Sequence, residues 1–93
     1  MIMEASMSVA RAPGVVSQRV DDVAVLLKVD NGQYFTLDDV GSRIWDLCDG
    51  GRAISDIVDT ICAEYDAPAE TVRQDVLELI AEFTREGLVR SVE

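Results

Sequence analysis

The chain has 93 residues, of which 48% are hydrophobic, and it carries 18 acidic against 8 basic side chains for a formal net charge of −10. That length supports one domain burying roughly 60% of its unfolded surface, which leaves little room for a large enzymatic cavity. The charge repels phosphate backbones and anionic lipid, so nucleic acid and membrane are not expected partners, whereas neutral or basic peptides are.

Met1 to Gly14 is rich in small residues, lacks periodicity and closes with Pro13-Gly14; it reads as a flexible arm ahead of a domain spanning residues 15–93. Val15 to Val20 suits a first strand, Asp21-Asp22 a turn, and Val23 to Val29 a second strand of alternating side chains. Asp30-Asn31-Gly32 is the next turn. A two-residue Asn31-Gly32 loop would put Lys28 opposite Phe35, mixing charge with core. A three-residue loop with Gly32 left-handed sets Leu27 opposite Phe35 and Val25 opposite Leu37, leaving Lys28 beside Tyr34; this register is the expected one.

Tyr34 to Leu37 suits a third strand, and Asp38 after it can cap the amides of a helix. Val40, Ile44, Leu47 and Cys48 fall at i, i+4, i+7 and i+8, one face of a helical period, and Gly50-Gly51 offers the left-handed residue to end it. Trp45 lies off that stripe and is expected to support the sheet from beneath. Ile54, Ile57, Val58, Ile61, Cys62 and Tyr65 make a second amphipathic helix, broken at Asp66-Ala67-Pro68. Pro68 opens a third helix, whose Val72, Val76, Leu79, Ile80 and Phe83 span about a 100° sector before Gly87 stops it. Leu88 to Val92 reads as a short closing strand.

The expected fold class is therefore α+β, a winged-helix-like arrangement of a three-stranded antiparallel sheet followed by three helices. The third helix sets Arg73 and Arg85 against Glu70, Asp75, Glu78, Glu82 and Glu86, a balance that argues against reading DNA. With two cysteines and no histidine, neither a Cys/His zinc site nor histidine catalysis can be built, and no metal, catalytic residue or cofactor is expected. Cys48 and Cys62 sit on apolar stripes and read as structural thiols in a reducing cytoplasm. No stretch approaches the ~20 apolar residues needed to cross a bilayer.

Leu47-Cys48-Asp49-Gly50-Gly51, Ile54-Ser55-Asp56-Ile57, Asp75-Val76-Leu77 through Phe83, and Gly87-Leu88-Val89 together resemble the PqqD family over about Val15 to Val89. Within it, Leu27 to Leu37 is more similar to the stand-alone recognition proteins of lasso-peptide pathways than to the quinone-cofactor chaperone, whose Pro-Glu pair is missing here. Ala53 departs from the threonine that often caps the second helix. The resemblance implies a non-catalytic protein that binds the leader segment of a ribosomally made precursor peptide and presents it to a leader peptidase or other modifying enzyme. A chaperone for a radical SAM enzyme, an acidic winged-helix regulator and an enzyme scaffold are the alternatives.

The resemblance also implies where the leader goes: it adds to the exposed third strand, beside a groove against the third helix. That maps onto Gln33, Tyr34, Phe35, Thr36 and Leu37, and onto Val72, Asp75, Val76, Leu79 and Phe83. Phe35 and Leu37 are expected to face the protein's own core, leaving Tyr34 and Thr36 outward. Asp75 and Glu82 flank the helical stripe and would meet basic leader residues.

Overall fold

The computed structural model describes residues 6–92. In chain order its elements are β1 (Ser8–Arg11), β2 (Val15–Val20), β3 (Val23–Lys28), β4 (Gln33–Leu37), α1 (Asp39–Leu47), β5 (Asp49–Ala53), α2 (Ile54–Tyr65), α3 (Ala69–Arg85) and β6 (Val89–Val92). The strands form two three-stranded sheets, β2-β3-β4 and β5-β1-β6. The mixed α+β class and the three helices after a three-stranded antiparallel sheet are as expected; the second sheet is an addition.

That second sheet forms where a flexible arm is expected. Residues 1–5 of the arm lie outside the described residues, but from Ser8 the chain is the central strand of a sheet, paired with β6 from Ser8↔Val92 to Arg11↔Val89 and with β5 at Ser8↔Ala53 and Ala10↔Asp49. Val9 is buried beneath it. A four-residue strand has no period to display, and its stability comes from two partners distant in sequence.

β5 also corrects the expected end of α1. The helix stops at Leu47, with the Cys48 N–H donating to the Trp45 carbonyl at 3.1 Å, and Gly50 takes φ 83° inside the strand. A Cβ at Gly50 would stand 3.3 Å from that of Ala10, so glycine here lets β5 close on β1. Cys48 is fully buried, its thiol donating to the Ile44 carbonyl, and burial pushes its pKa up to about 12. It is a structural thiol.

The β3–β4 hairpin is one residue off the expected register. Leu26 faces Phe35, Ala24 faces Leu37 and Lys28 faces Gln33, so Lys28 shares the inner face with Leu26 and Phe35, a mixing of charge with core that the expected register avoids. The ammonium escapes by reaching the end of α3, where Nζ donates to the Glu86 carbonyl at 2.9 Å. A cation at a helix C-terminus is favourably placed, and the aliphatic stem tolerates partial burial.

The helices follow their sequence signals closely. Asp38 caps α1, its carboxylate accepting from the Gly41 N–H at 2.8 Å. At the start of α2, where alanine stands in the cap position, the Asp56 carboxylate accepts from the Ala53 N–H at 3.2 Å. Gly87 at φ 73° ends α3 in a Schellman arrangement, with Leu88 N–H donating to the Phe83 carbonyl and Gly87 N–H to that of Thr84.

The three helical stripes and the inner face of β3 share one core, which includes Leu26, Ile44, Leu47, Ile54, Ile57, Ile80 and Phe83. Trp45 belongs to this core at 2% exposure, packed edge-to-face on Phe83 with ring centroids 5.6 Å apart.

Candidate functional site

β4 runs directly into α1 without a linker, so the first turn of that helix lies at the end of the strand. Ser42, fully buried, ties the junction: its hydroxyl accepts from Ala24 N–H at 2.8 Å and donates to the Leu37 carbonyl at 3.2 Å. The Ala24 N–H therefore points toward β4. Consistently, Val29 N–H donates the other way, to the Gly14 carbonyl before β2. In an antiparallel ladder these directions alternate, so Gln33, Phe35 and Leu37 turn their backbone groups toward β3 while Tyr34 and Thr36 turn theirs away. Among the described residues β4 has one neighbour, β3. The N–H and C=O groups of Tyr34 and Thr36 thus form an open edge.

β4 differs from the other edge strands in what lies beside it. A recess of about 580 Å³ opens between β4, the start of α1 and α3. Its floor is apolar, made by Leu37, Val40, Ile44 and Leu79, while Asp38, Asp75, Glu78 and Glu82 stand around it. Two smaller hollows continue it along α3. One, of about 140 Å³, is lined toward the helix start by Val72, Val76, Ile61 and Tyr65. The other, of about 100 Å³, lies toward the helix end and is lined by Phe35, Leu79, Phe83 and Leu88. The shared lining residues make a continuous groove along α3.

The groove is strongly one-signed. None of the residues of the described ion pairs, Arg19–Asp46, Arg43–Glu64 and Arg52–Asp49, lines it, and none of its lining side chains is basic. Such a cleft favours cationic or neutral ligand segments over anionic ones. Among the described residues no group of His, Cys, Asp or Glu has the arrangement of a metal site.

The structure distributes the sequence-predicted residues unevenly. Thr36, Leu37, Asp75 and Leu79 line the main recess; Val72 and Val76 line the hollow at one end and Phe35 and Phe83 that at the other. Val72, Val76 and Phe83 are nevertheless buried core residues, presenting little surface to a ligand. Gln33 and Tyr34 lie along the strand edge outside these hollows, with Tyr34 69% exposed. Sequence reasoning missed the α1 wall, Val40, Gly41 and Ile44. The signal was present, because a helix capped one residue after a strand must put its first turn against that strand's end. Gly41 makes the wall fit: a Cβ there would stand 3.1 Å from Asp38 Oδ1 and 3.6 Å from Leu79 Cδ2.

Comparison with known proteins identifies the family to which this fold and groove belong. Residues 24–89 match the family described as coenzyme PQQ synthesis protein D (PqqD), and the chain belongs to that family. A solved structure titled TbiB1 in complex with the TbiA(beta) leader peptide is 41% identical, with a TM-score of 0.80 over 87% of this chain and 94% of that one. A second, lasso peptide synthetase B1 complexed with the leader peptide, has the same fold at 20% identity and a TM-score of 0.80, covering 89% of this chain and 98% of that one. The PqqA binding protein of Gluconobacter oxydans (strain 621H) is 28% identical over 85 residues, 91% of this chain and 86% of the relative. That of Rhodopseudomonas palustris (strain HaA2) is 31% identical over 52 residues, 56% of this chain and 51% of its own.

Proposed function

We propose that this protein binds the leader segment of a ribosomally synthesised precursor peptide, of the lasso-peptide kind, as an added strand on β4 and presents it to a leader peptidase or another modifying enzyme. The observation that carries this reading is the open backbone edge of Tyr34 and Thr36 running beside the groove of β4, α1 and α3. No bond is made or broken in this role. The setting is the cytoplasm, where precursor peptides are made and where the free thiols of Cys48 and Cys62 stay reduced.

Magnitudes divide the work between edge and groove. The outward N–H and C=O groups of two residues offer up to four backbone hydrogen bonds, each worth about 0.5–1.5 kcal/mol net. Ordering a flexible segment costs about 2–5 kcal/mol, so the edge alone roughly breaks even. Affinity must come from leader side chains buried on Leu37, Val40 and Leu79, each contributing about 1.5–3 kcal/mol. Aromatic, proline or leucine anchors suit that floor, and lysine or arginine suits the Asp75 and Glu82 rim at about 0.2–1 kcal/mol per exposed pair.

A PqqA-type chaperone role is the second reading, favoured by the relation to PqqA binding proteins. Nitrogen-15 chemical shift mapping with the TbiA(beta) leader and with PqqA separates the two. The lasso reading expects the first peptide to move the Tyr34 and Thr36 amides and the second to leave them still. Amides of β4 that stay unmoved by both peptides and by the protein's own precursor would reject strand addition.

A further inference from the structure

The inner face of β3 and β4 ends at a lysine. Ala24 with Leu37, Leu26 with Phe35 and Lys28 with Gln33 stack along that face, and α3 follows them in the same order. Asp75 and Leu79 share the main recess with Leu37, and Phe83 and Glu86 share the last hollow with Phe35. Lys28 therefore stands where the groove stops. Its ammonium crosses from the sheet to the Glu86 carbonyl at 2.9 Å, at a helix end whose carbonyls lack partners within the helix. Among the described residues no other hydrogen bond joins the β2-β3-β4 sheet to the end of α3.

A second cavity lies beyond that bond. It measures about 220 Å³ and is lined by Lys28, Gly87, Gly14 and Val15, whereas the last hollow of the groove holds about 100 Å³. Glu86 borders the hollow, and Lys28 and Gly87 border the cavity, so the lysine bridge is the partition between them. Glycine at position 87 lets the partition close, because a Cβ there would stand 3.0 Å from the ammonium nitrogen.

We propose that Lys28 is a specificity-determining residue, limiting the last hollow of the groove to one compact apolar side chain of the leader; the inference rests on the leader-binding reading. In a strand added to β4, side chains on the inner side recur every second residue, about 6.6 Å apart. One of them falls beside Phe35, in the hollow of Leu79, Phe83 and Leu88. A valine or leucine fills that space. A tryptophan has to displace the ammonium, which breaks a charge-assisted hydrogen bond and leaves the Glu86 carbonyl without its partner. Selectivity of this kind comes from the penalty set against the misfit rather than from added attraction to the fit.

The test uses the full chain and TbiA(beta) leader peptides in which each apolar residue in turn is leucine or tryptophan, titrated by fluorescence anisotropy. Wild-type protein is expected to prefer leucine about tenfold or more at one leader position. Lys28→Ala, which joins the hollow to the cavity, should narrow that preference to about twofold and leave the ratios at the other positions unchanged. Should Lys28→Ala unfold the domain, Lys28→Met keeps the stem without the bond and should relax the ratio about threefold, and Lys28→Arg, which can remake the bond, should restore it. A lysine that only stabilises the fold would on removal weaken all the peptides alike, with the leucine-to-tryptophan ratio intact, and that result overturns the inference. So does a wild type with no size preference at any position. Wild-type protein that binds none of the peptides fails the leader-binding reading instead, an outcome distinct from a lost ratio.

Discussion

The hydroxyl of Ser42 stands 2.8 Å from the backbone nitrogen of Ala24 and hands its own proton to the Leu37 carbonyl, replacing a direct strand-to-strand bond with a relay through α1. Buried and satisfied on both sides, it fixes the angle at which α1 leaves β4 and so the width of the groove. Ser42→Ala would strand a buried N–H and a buried carbonyl, a cost of about 1–3 kcal/mol. Urea denaturation should show that loss, and leader affinity should fall with it; an unchanged midpoint would mean that the strands close the gap by themselves.

Strand addition makes a directional prediction about proline. Thr36 turns its N–H away from β3, so Thr36→Pro removes an edge donor without touching the ladder, as edge strands tolerate. Leader binding should weaken roughly 2- to 10-fold, one hydrogen bond's worth, with the fold retained. Phe35→Pro removes a ladder bond and should unfold or strongly destabilise the hairpin. Equal effects at both positions in paired melting and binding measurements would contradict the assigned bond directions.

Leu79 and Phe83 lie one helical turn apart on α3 but answer to different demands. Phe83, 2% exposed and packed on Trp45, should cost about 3–5 kcal/mol of stability as Phe83→Ala. Leu79 is half-buried on the groove floor, and Leu79→Ala should reduce leader affinity about tenfold while lowering stability far less. Thermal melts set beside fluorescence-anisotropy titrations would distinguish the two, and a Leu79 variant that melts like the Phe83 variant would make it a core residue.

Arg43 on α1 clasps Glu64 on α2 through two nitrogens, with contacts of 2.8–3.1 Å. Hydrogen bonding from Arg43 holds the Glu64 carboxyl below its ordinary pKa. A depressed acid contributes stability that is present above its unfolded pKa and lost as the pH falls through the folded value. The difference in Tm between wild type and Arg43→Met should therefore be small at neutral pH, because the pair is exposed, and should vanish in the acidic range below that of an ordinary glutamate. A difference that grows on acidification would disprove the linkage.

Much of this protein is written locally. The stripes of α2 and α3, the Asp38 cap, the Gly87 stop and the alternation of β3 each repeat within a few residues, so the sequence alone determines them. What only the tertiary structure decided are the features whose cause is distant in the chain. Ser8 is a strand residue because Ala53 and Val92 flank it. Lys28 can join the inner face because the free carbonyl of Glu86 awaits it, which shifts the hairpin by one residue. The groove's third wall exists because Ser42 pulls α1 onto the strand end. Periodicity reports which face of an element is buried, but the partner covering that face is chosen by long-range packing and hydrogen bonding, and no local pattern encodes it.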